Sequence, residues 1–314
     1  MKHVILGAGP VGLSVAAALV RRSESVTLVS RTRPPGLSAP VEHITADARD
    51  ADALARACAG AEVIYQCLGA PYHRWREELP PLQRSAVAAA RRAGARLVSF
   101  ENVYMYGAPG EAPFSETDSH EPCSEKGRIR TAMVEELQQL LARGELDVIH
   151  VRASDLFGPR MRASSLGDEF LGRAVVGKTA RGFGDLSAPH TWTFTADAGE
   201  TLATIGTTAG TSRRVWHVPS DRPRSQHEVA AELSRLLGRQ VKVQATPRWL
   251  LRLIGLLRPQ VGATVEMVYE FERPFIVGDE ATRGALRVMH TPFTEALAQT
   301  VGWYSSAREV AARP

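Results

Sequence analysis

The stretch HVILGAGPVGLSVAAALVRR (residues 3–22) decides the fold. Its first four residues form a short β-rich run. From Pro10 onward the apolar residues suit a helix, so the hexapeptide GAGPVG (7–12) falls on a strand-to-helix turn. Each glycine there has its own reason. Gly7 allows the tight turn, Gly9 lets backbone approach a pyrophosphate, and Gly12 lets the helix lie close on the strand. The helix N-terminus, with unpaired N–H groups, completes an anion site. A lone G-x-G-x-x-G is weak evidence, but at the first strand-to-helix turn of a βαβ unit it marks a dinucleotide. Gly7, Gly9, Pro10, Val11 and Gly12 are therefore the candidate phosphate-binding residues.

Working outward, β-rich runs at 25–30, 43–45, 61–69, 95–100 and 146–152 alternate with helical runs at 10–22, 50–58, 79–93 and 123–144. Such alternation predicts an α/β protein: a Rossmann, doubly wound parallel sheet covered on both faces. After Arg152 the pattern changes. Residues 156–190 are rich in Gly, Arg and Pro, with little periodicity. A strand and helix follow over 191–206 and a strand over 213–220. Two helices flank VKVQAT (241–246), and a tail at 281–312 is helical apart from a turn at HTPF. The expected organisation is a dinucleotide-binding core over 1–155 and a smaller C-terminal substrate-capping subdomain over most of 156–314. Residues 190–218 are expected to return to the Rossmann sheet.

The bulk numbers exclude several classes. The 314 residues are 44% hydrophobic and 23% charged, as in an ordinary soluble protein. The net charge of +4 comes from scattered arginines, with no basic run or aromatic-interleaved stripe, so no nucleic-acid partner is expected. Three cysteines (Cys58, Cys67, Cys123) and nine dispersed histidines show no metal-ligand or disulfide spacing. The apolar run at the N-terminus is broken by three glycines and a proline, which suits neither a signal peptide nor a membrane span. A cytoplasmic protein with no metal and no membrane partner is expected. A homodimer is compatible with the sequence.

Which dinucleotide binds is read at the end of the second strand. NAD and FAD sites usually place an acid there for the ribose hydroxyls, whereas an Arg accommodates a 2′-phosphate. The sequence offers Ser30, Arg31 and Arg33 and no acid, which favours NADP(H) over NAD(H) and disfavours FAD. VGDEA (277–281) lacks the strand–helix context of a second flavin fingerprint. Asp47, after the third strand, suits either an adenine amino group or a helix N-terminus. Cys67, Leu68 and Gly69 close the fourth strand, where backbone passes the cofactor. Ala153, Ser154 and Asp155 follow the last parallel strand and should border the nicotinamide. Tyr72, His73, Arg74 and Trp75 could wall a substrate site.

A second stretch, CSEKGRIRTAMVEEL (123–137), begins a helix in an unusual way. Lys126, Arg128 and Arg130 crowd its first turns, where the helix dipole disfavours cations. Lys126 is one of only four lysines in the chain.

Several motifs in order resemble the short-chain dehydrogenase/reductase superfamily, in its extended and atypical branch of NAD-dependent epimerase/dehydratase-like proteins. They are GAGPVG, the acid in TADARD (45–50), NVYMYG (102–107), VRASDLFGP (151–159), HTWTFTADAGETL (190–202) and VGWYSSAREV (301–310). GAGPVG departs from the commoner extended spacing G-x-x-G-x-x-G, which points to an atypical subgroup. The family works with a Ser, a Tyr and a Lys four residues after the Tyr. The resemblance puts the Ser position on Asn102, the Tyr position on Lys126 and the Lys position on Arg130, so all three are replaced. It implies that the basic cluster faces the nicotinamide ribose and substrate, with Lys126 as proton donor. Asn102 would hydrogen-bond a carbonyl, Arg130 would bind ribose or a carboxylate, and Tyr104 or Tyr106 would be alternative acids. His190 is expected to be structural, and the strand after it is expected to re-enter the Rossmann sheet, as in look-alike proteins.

The function implied is an NADPH-dependent reductase acting on a carbonyl or conjugated double bond of a small organic molecule. The alternative is an NADP-binding protein without hydride transfer, either catalysing a redox-neutral isomerase-, cyclase- or epimerase-like step or acting as a redox-sensing binder. The helix PRWLLRLIGLLRP (247–259) is expected to be a lid or subunit contact.

Overall fold

The computed structural model describes residues 1–208 and 215–311, with side chains described as far as Ser306. Residues 213–214 of the expected strand and residue 312 of the expected tail helix lie outside the described residues.

The first half alternates as expected. β1 (Lys2–Leu6), α1 (Pro10–Arg21), β2 (Ser25–Ser30), β3 (Glu42–Thr45), α2 (Ala51–Ala57) and β4 (Val63–Gln66) lead to α3 (Trp75–Ala93) and β5 (Arg96–Asn102). Then come α4 (Glu125–Ala142) and β6 (Val148–Ala153). α3 starts four residues earlier than expected and carries Pro80 and Pro81 internally. Two prolines look like a late start, but Trp75 Nε1 donates to Ala70 O and Arg74 pairs with Glu78, which secures the first turn.

The second half adds β7 (Asp155–Phe157), a π-helical turn at Gly167–Gly172 running into α5 (Arg173–Val175), β8 (Ala180–Gly182), β9 (Trp192–Phe194), α6 (Thr195–Thr207) and β10 (Val215–His217). It continues with α7 (Gln226–Leu237), β11 (Val243–Ala245), α8 (Arg248–Leu257), α9 (Pro259–Gly262), a 3₁₀ segment at Val265–Phe271, α10 (Glu280–Leu286) and α11 (Phe293–Ala311).

Seven strands form one parallel sheet in the order β3-β2-β1-β4-β5-β6-β10. This is the doubly wound Rossmann order with one strand added beyond β6. One face buries Val15, Leu19, Leu202 and Ile205 of α1 and α6. The other buries Leu54, Ala86, Ala90, Leu137 and Leu140 of α2, α3 and α4. A Cβ on Gly199 would lie 2.5 Å from Ser14, so that glycine lets α6 press against α1. Phe157, Phe170, Trp192, Phe194, Leu233, Phe271 and Phe293 make a separate apolar cluster beyond the C-terminal edge of the sheet.

One expectation is corrected here. Trp192–Phe194 does not re-enter the main sheet; it pairs with β7 in a two-stranded sheet. The edge of β6 is taken by β10, and β9 lies beside β7, with the Phe194 and Phe157 rings 5.5 Å apart.

Candidate active site

The order of the sheet reverses between β1 and β4, and a cleft of about 820 Å³ opens at their C-terminal ends. That is where open α/β sheets take their ligands.

At one end the wall is mostly main chain. Gly7 has φ 104°, and a Cβ there would lie 2.6 Å from Cys67 O. On Gly12 a Cβ would lie 2.0 Å from Gly7 O, so this glycine sets how closely α1 approaches β1. Gly9 differs: it lines the cleft, and a Cβ built on it would meet no protein atom within 4 Å. Its space is left for a ligand. No side chain caps α1 at Gly9, so its first-turn N–H groups can serve an anion. The residues present thus fit a dinucleotide pyrophosphate.

Of the residues expected to hold the cofactor, Gly7, Gly9, Pro10, Val11, Ser30, Arg31, Asp47, Cys67, Leu68, Gly69, Ser154 and Asp155 line this cleft. Gly12, Arg33 and Ala153 do not: Gly12 packs helix on strand, Arg33 is exposed, and Ala153 is buried in the end of β6. Asp47 is held by Arg49 (Nη2 to Oδ2 2.6 Å), which draws its carboxyl down to about 2. The N-cap of α2 is Asp50, whose carboxylate accepts from the N–H groups of Asp52 and Ala53. Arg49, which sequence reasoning passed over, lines the same end as Arg31.

The other end is built from side chains far apart in sequence. Asn102 ends β5, Tyr104 lies in the 3₁₀ turn Tyr104–Tyr106, and Arg130 comes from α4; all three line the cleft. Arg130 Nε donates to Asn102 Oδ1 at 3.2 Å, and its guanidinium lies 5.4 Å over the Trp75 ring. Trp75 stacks on Tyr104 (5.9 Å), and the hydroxyls of Tyr104 and Tyr72 share a hydrogen bond. Burial pushes both phenols above their ordinary range. Gly127 makes this junction possible: a Cβ there would sit 2.6 Å from Tyr104 O.

Lys126 is not part of this wall. Although it is only 4% exposed, its Nζ pairs with Glu266 Oε1 at 2.5 Å and sits 5.2 Å over the Tyr72 ring, on a second pocket lined by His73 and Ile129. Glu266 Oε2 also accepts the Glu125 N–H at 2.6 Å. Lys126, at the start of α4, thus meets a carboxylate brought by the 3₁₀ segment Val265–Phe271, a pairing 140 residues apart that helical spacing could not reveal.

Tyr106 is also out of the cleft. Its hydroxyl meets His217 Nε2 and Arg152 Nη1, both at 2.7 Å, in a buried network with Glu101 and His150. Asp155 Oδ2 lies 2.9 Å from His190 Nε2, and the His190 ring stacks between Phe271 and Phe275.

Sequence reasoning missed Glu270 altogether. It belongs to the 3₁₀ segment, is 2% exposed and lines the cleft, and its Oε1 has no hydrogen-bond partner. Burial, aided by the nearby charge of Asp155, pushes its carboxyl well above the usual range. One acid among several in EMVYEFERP (266–274) gave no signal.

Among the described residues no group of His, Cys, Asp and Glu could hold a metal, and no helix is long and apolar enough to cross a membrane.

Solved structures share the fold at low identity. A dTDP-glucose 4,6-dehydratase from Streptomyces venezuelae, solved with NAD and TYD bound, has a TM-score of 0.79 at 18% identity, covering 99% of this chain and 98% of its own. A UDP-glucose 4-epimerase from Thermotoga maritima, solved with UDP-glucose, has a TM-score of 0.79 at 16% identity over 98% and 100%. A UDP-glucuronic acid 4-epimerase from Bacillus cereus, in complex with UDP-glucuronic acid and NAD, has a TM-score of 0.78 at 14% identity over 98% and 100%. No match to a curated protein sequence was found. Residues 3–218 match the NAD dependent epimerase/dehydratase family, and the chain belongs to that family.

Proposed function

We propose that this chain is a reductase that uses NADPH to reduce a carbonyl, or a double bond conjugated to one, in a small organic molecule. The carrying observation is that a single cleft runs from Gly9 and Arg31 to Asn102, Tyr104 and Arg130. Membership of the family and the NAD-bound neighbours support a nicotinamide dinucleotide. Arg31, with no acid at the end of β2, supports the 2′-phosphate form.

When bound, the nicotinamide supplies hydride. The chain's own residues bind and orient. Asn102 and the Tyr104–Tyr72 pair offer hydrogen bonds to a carbonyl oxygen, and Arg130 holds Asn102 in place while contributing a fixed positive charge. Met267, Val268 and Phe271 line the same cleft with apolar side chains. We read residues 1–155 as the dinucleotide-binding part and 156–314 mostly as the cap, with Val215–His217 returning to the sheet.

The test is a fluorescence titration of ligand-free protein with NADPH, NADH and FAD, followed by a panel of aldehydes, ketones and enones. Tight NADPH binding with oxidation of NADPH by a panel member is the expected result. NADPH binding without turnover of any of them would favour the second reading, a redox-neutral step or ligand sensing, which the placement of Lys126 outside the cleft supports.

A further inference from the structure

Four acids line the cleft: Asp47, Glu78, Asp155 and Glu270. Two are paired with arginines, Asp47 with Arg49 and Glu78 with Arg74, and Asp155 Oδ2 has His190 Nε2 at 2.9 Å. Glu270 is the most buried of the four, and its Oε1 has no hydrogen-bond partner among the described residues. A buried carboxylate without a partner is costly, so the group takes up a proton instead.

We propose that Glu270 is the proton donor of this site, its carboxyl handing a proton to the oxygen of the carbonyl being reduced. The step rests on the reductase reading above. The C=O π bond breaks, and the carbon gains a hydride from the reduced dinucleotide. The oxygen gains the proton of Glu270, and the carboxylate left behind is reprotonated from water.

The rival donors are worse placed or worse matched. Lys126 faces the second pocket, bound to Glu266. Arg130 keeps its proton at any working pH. Tyr72 and Tyr104 bond each other, and burial moves phenols away from neutrality, while the same burial moves a carboxyl toward it. An acid transfers its proton best when its pKa lies near the working pH. Burial comes first in raising the Glu270 carboxyl, and the nearby charge of Asp155 adds to it. Its backbone is fixed as well: Glu270 O lies 3.2 Å from His190 Nδ1, and the adjoining Phe271 ring stacks on His190 at 4.7 Å. Nothing in the spacing of the sequence points to this residue, because it arrives from the cap.

The test uses E270Q, which keeps the volume and removes the proton. Infrared difference spectra at neutral pH, in H₂O and D₂O, should show a protonated-carboxyl band in wild type that E270Q lacks. With NADPH and a reducible carbonyl, E270Q should lose roughly a hundredfold in kcat, with KM and NADPH affinity within about threefold. E270D should recover part of the rate. Unchanged kcat in E270Q, or a carboxyl band that survives the substitution, would overturn the proposal while leaving the reductase reading intact. A wild type that binds NADPH yet reduces no carbonyl removes the reductase reading and this step together, whatever the infrared band shows.

Discussion

At the Gly7–Gly12 end the cleft is walled by main chain, and at the Glu270 end by side chains from five separate places: Tyr72, Asn102–Tyr104, Arg130, Asp155 and Glu270. A main-chain wall recognises what every dinucleotide has in common, because N–H groups and missing Cβ atoms depend little on neighbouring sequence. The side-chain wall can be rebuilt one residue at a time without disturbing the strands beneath it. Tyr104, Arg130 and Glu270 reach that wall from a turn, a helix and the 3₁₀ segment, outside the seven-stranded sheet. Binding fold and chemistry are thus separable in this molecule.

Substitutions in the two walls can break or sharpen the contrast. The largest effect should come from Gly12→Ala, whose methyl would meet Gly7 O; overpacking of this severity costs about 3 kcal/mol or more, read as a fall in Tm. Gly9→Ala should leave Tm nearly unchanged and weaken dinucleotide binding by roughly tenfold or more, since its methyl would occupy only ligand space. Equal losses of Tm in the two variants would end the distinction between a packing glycine and a binding glycine. Arg31→Ala should reduce the preference for NADPH over NADH by about tenfold, roughly one charge-assisted contact, in parallel titrations. A preference that survives would assign the 2′-phosphate to Arg49 or elsewhere. The smallest effect on turnover is expected for Lys126→Ala: within about threefold, because the side chain is outside the cleft, with a loss of about 1–2 kcal/mol in stability from the broken pair with Glu266. A tenfold or greater fall in kcat would return Lys126 to the chemistry.

The sequence made the Rossmann half readable because its signals are local. Each strand and helix there is announced by its own few residues, and GAGPVG by six. The side-chain end of the cleft was only half readable. Asn102, Tyr104 and Arg130 could be found by counting from NVYMYG, but the partner of Lys126 could not, since Glu266 is 140 residues away. Glu270 was invisible for the same reason: its meaning comes from burial against Asp155, and burial in the cap follows from tertiary packing of an aperiodic segment. Helical spacing correctly put Lys126 and Arg130 one turn apart, yet one turn was enough for Tyr72 to separate them. Arg130 lies with Trp75 on the cleft side, and Lys126 is over the Tyr72 ring on the other.

The carboxylate of Glu266 has a consequence for how the molecule comes apart. It neutralises Lys126 and accepts the first N–H of α4 at once, so a helix of the sheet layer is finished by an atom from the cap. Lifting the cap would lose the Lys126 ion pair and this N–H bond together, which disfavours a state with the sheet intact and the cap melted. The heat-capacity trace should therefore show one cooperative transition for the whole chain, and a protease should find no long-lived, capless intermediate to cut.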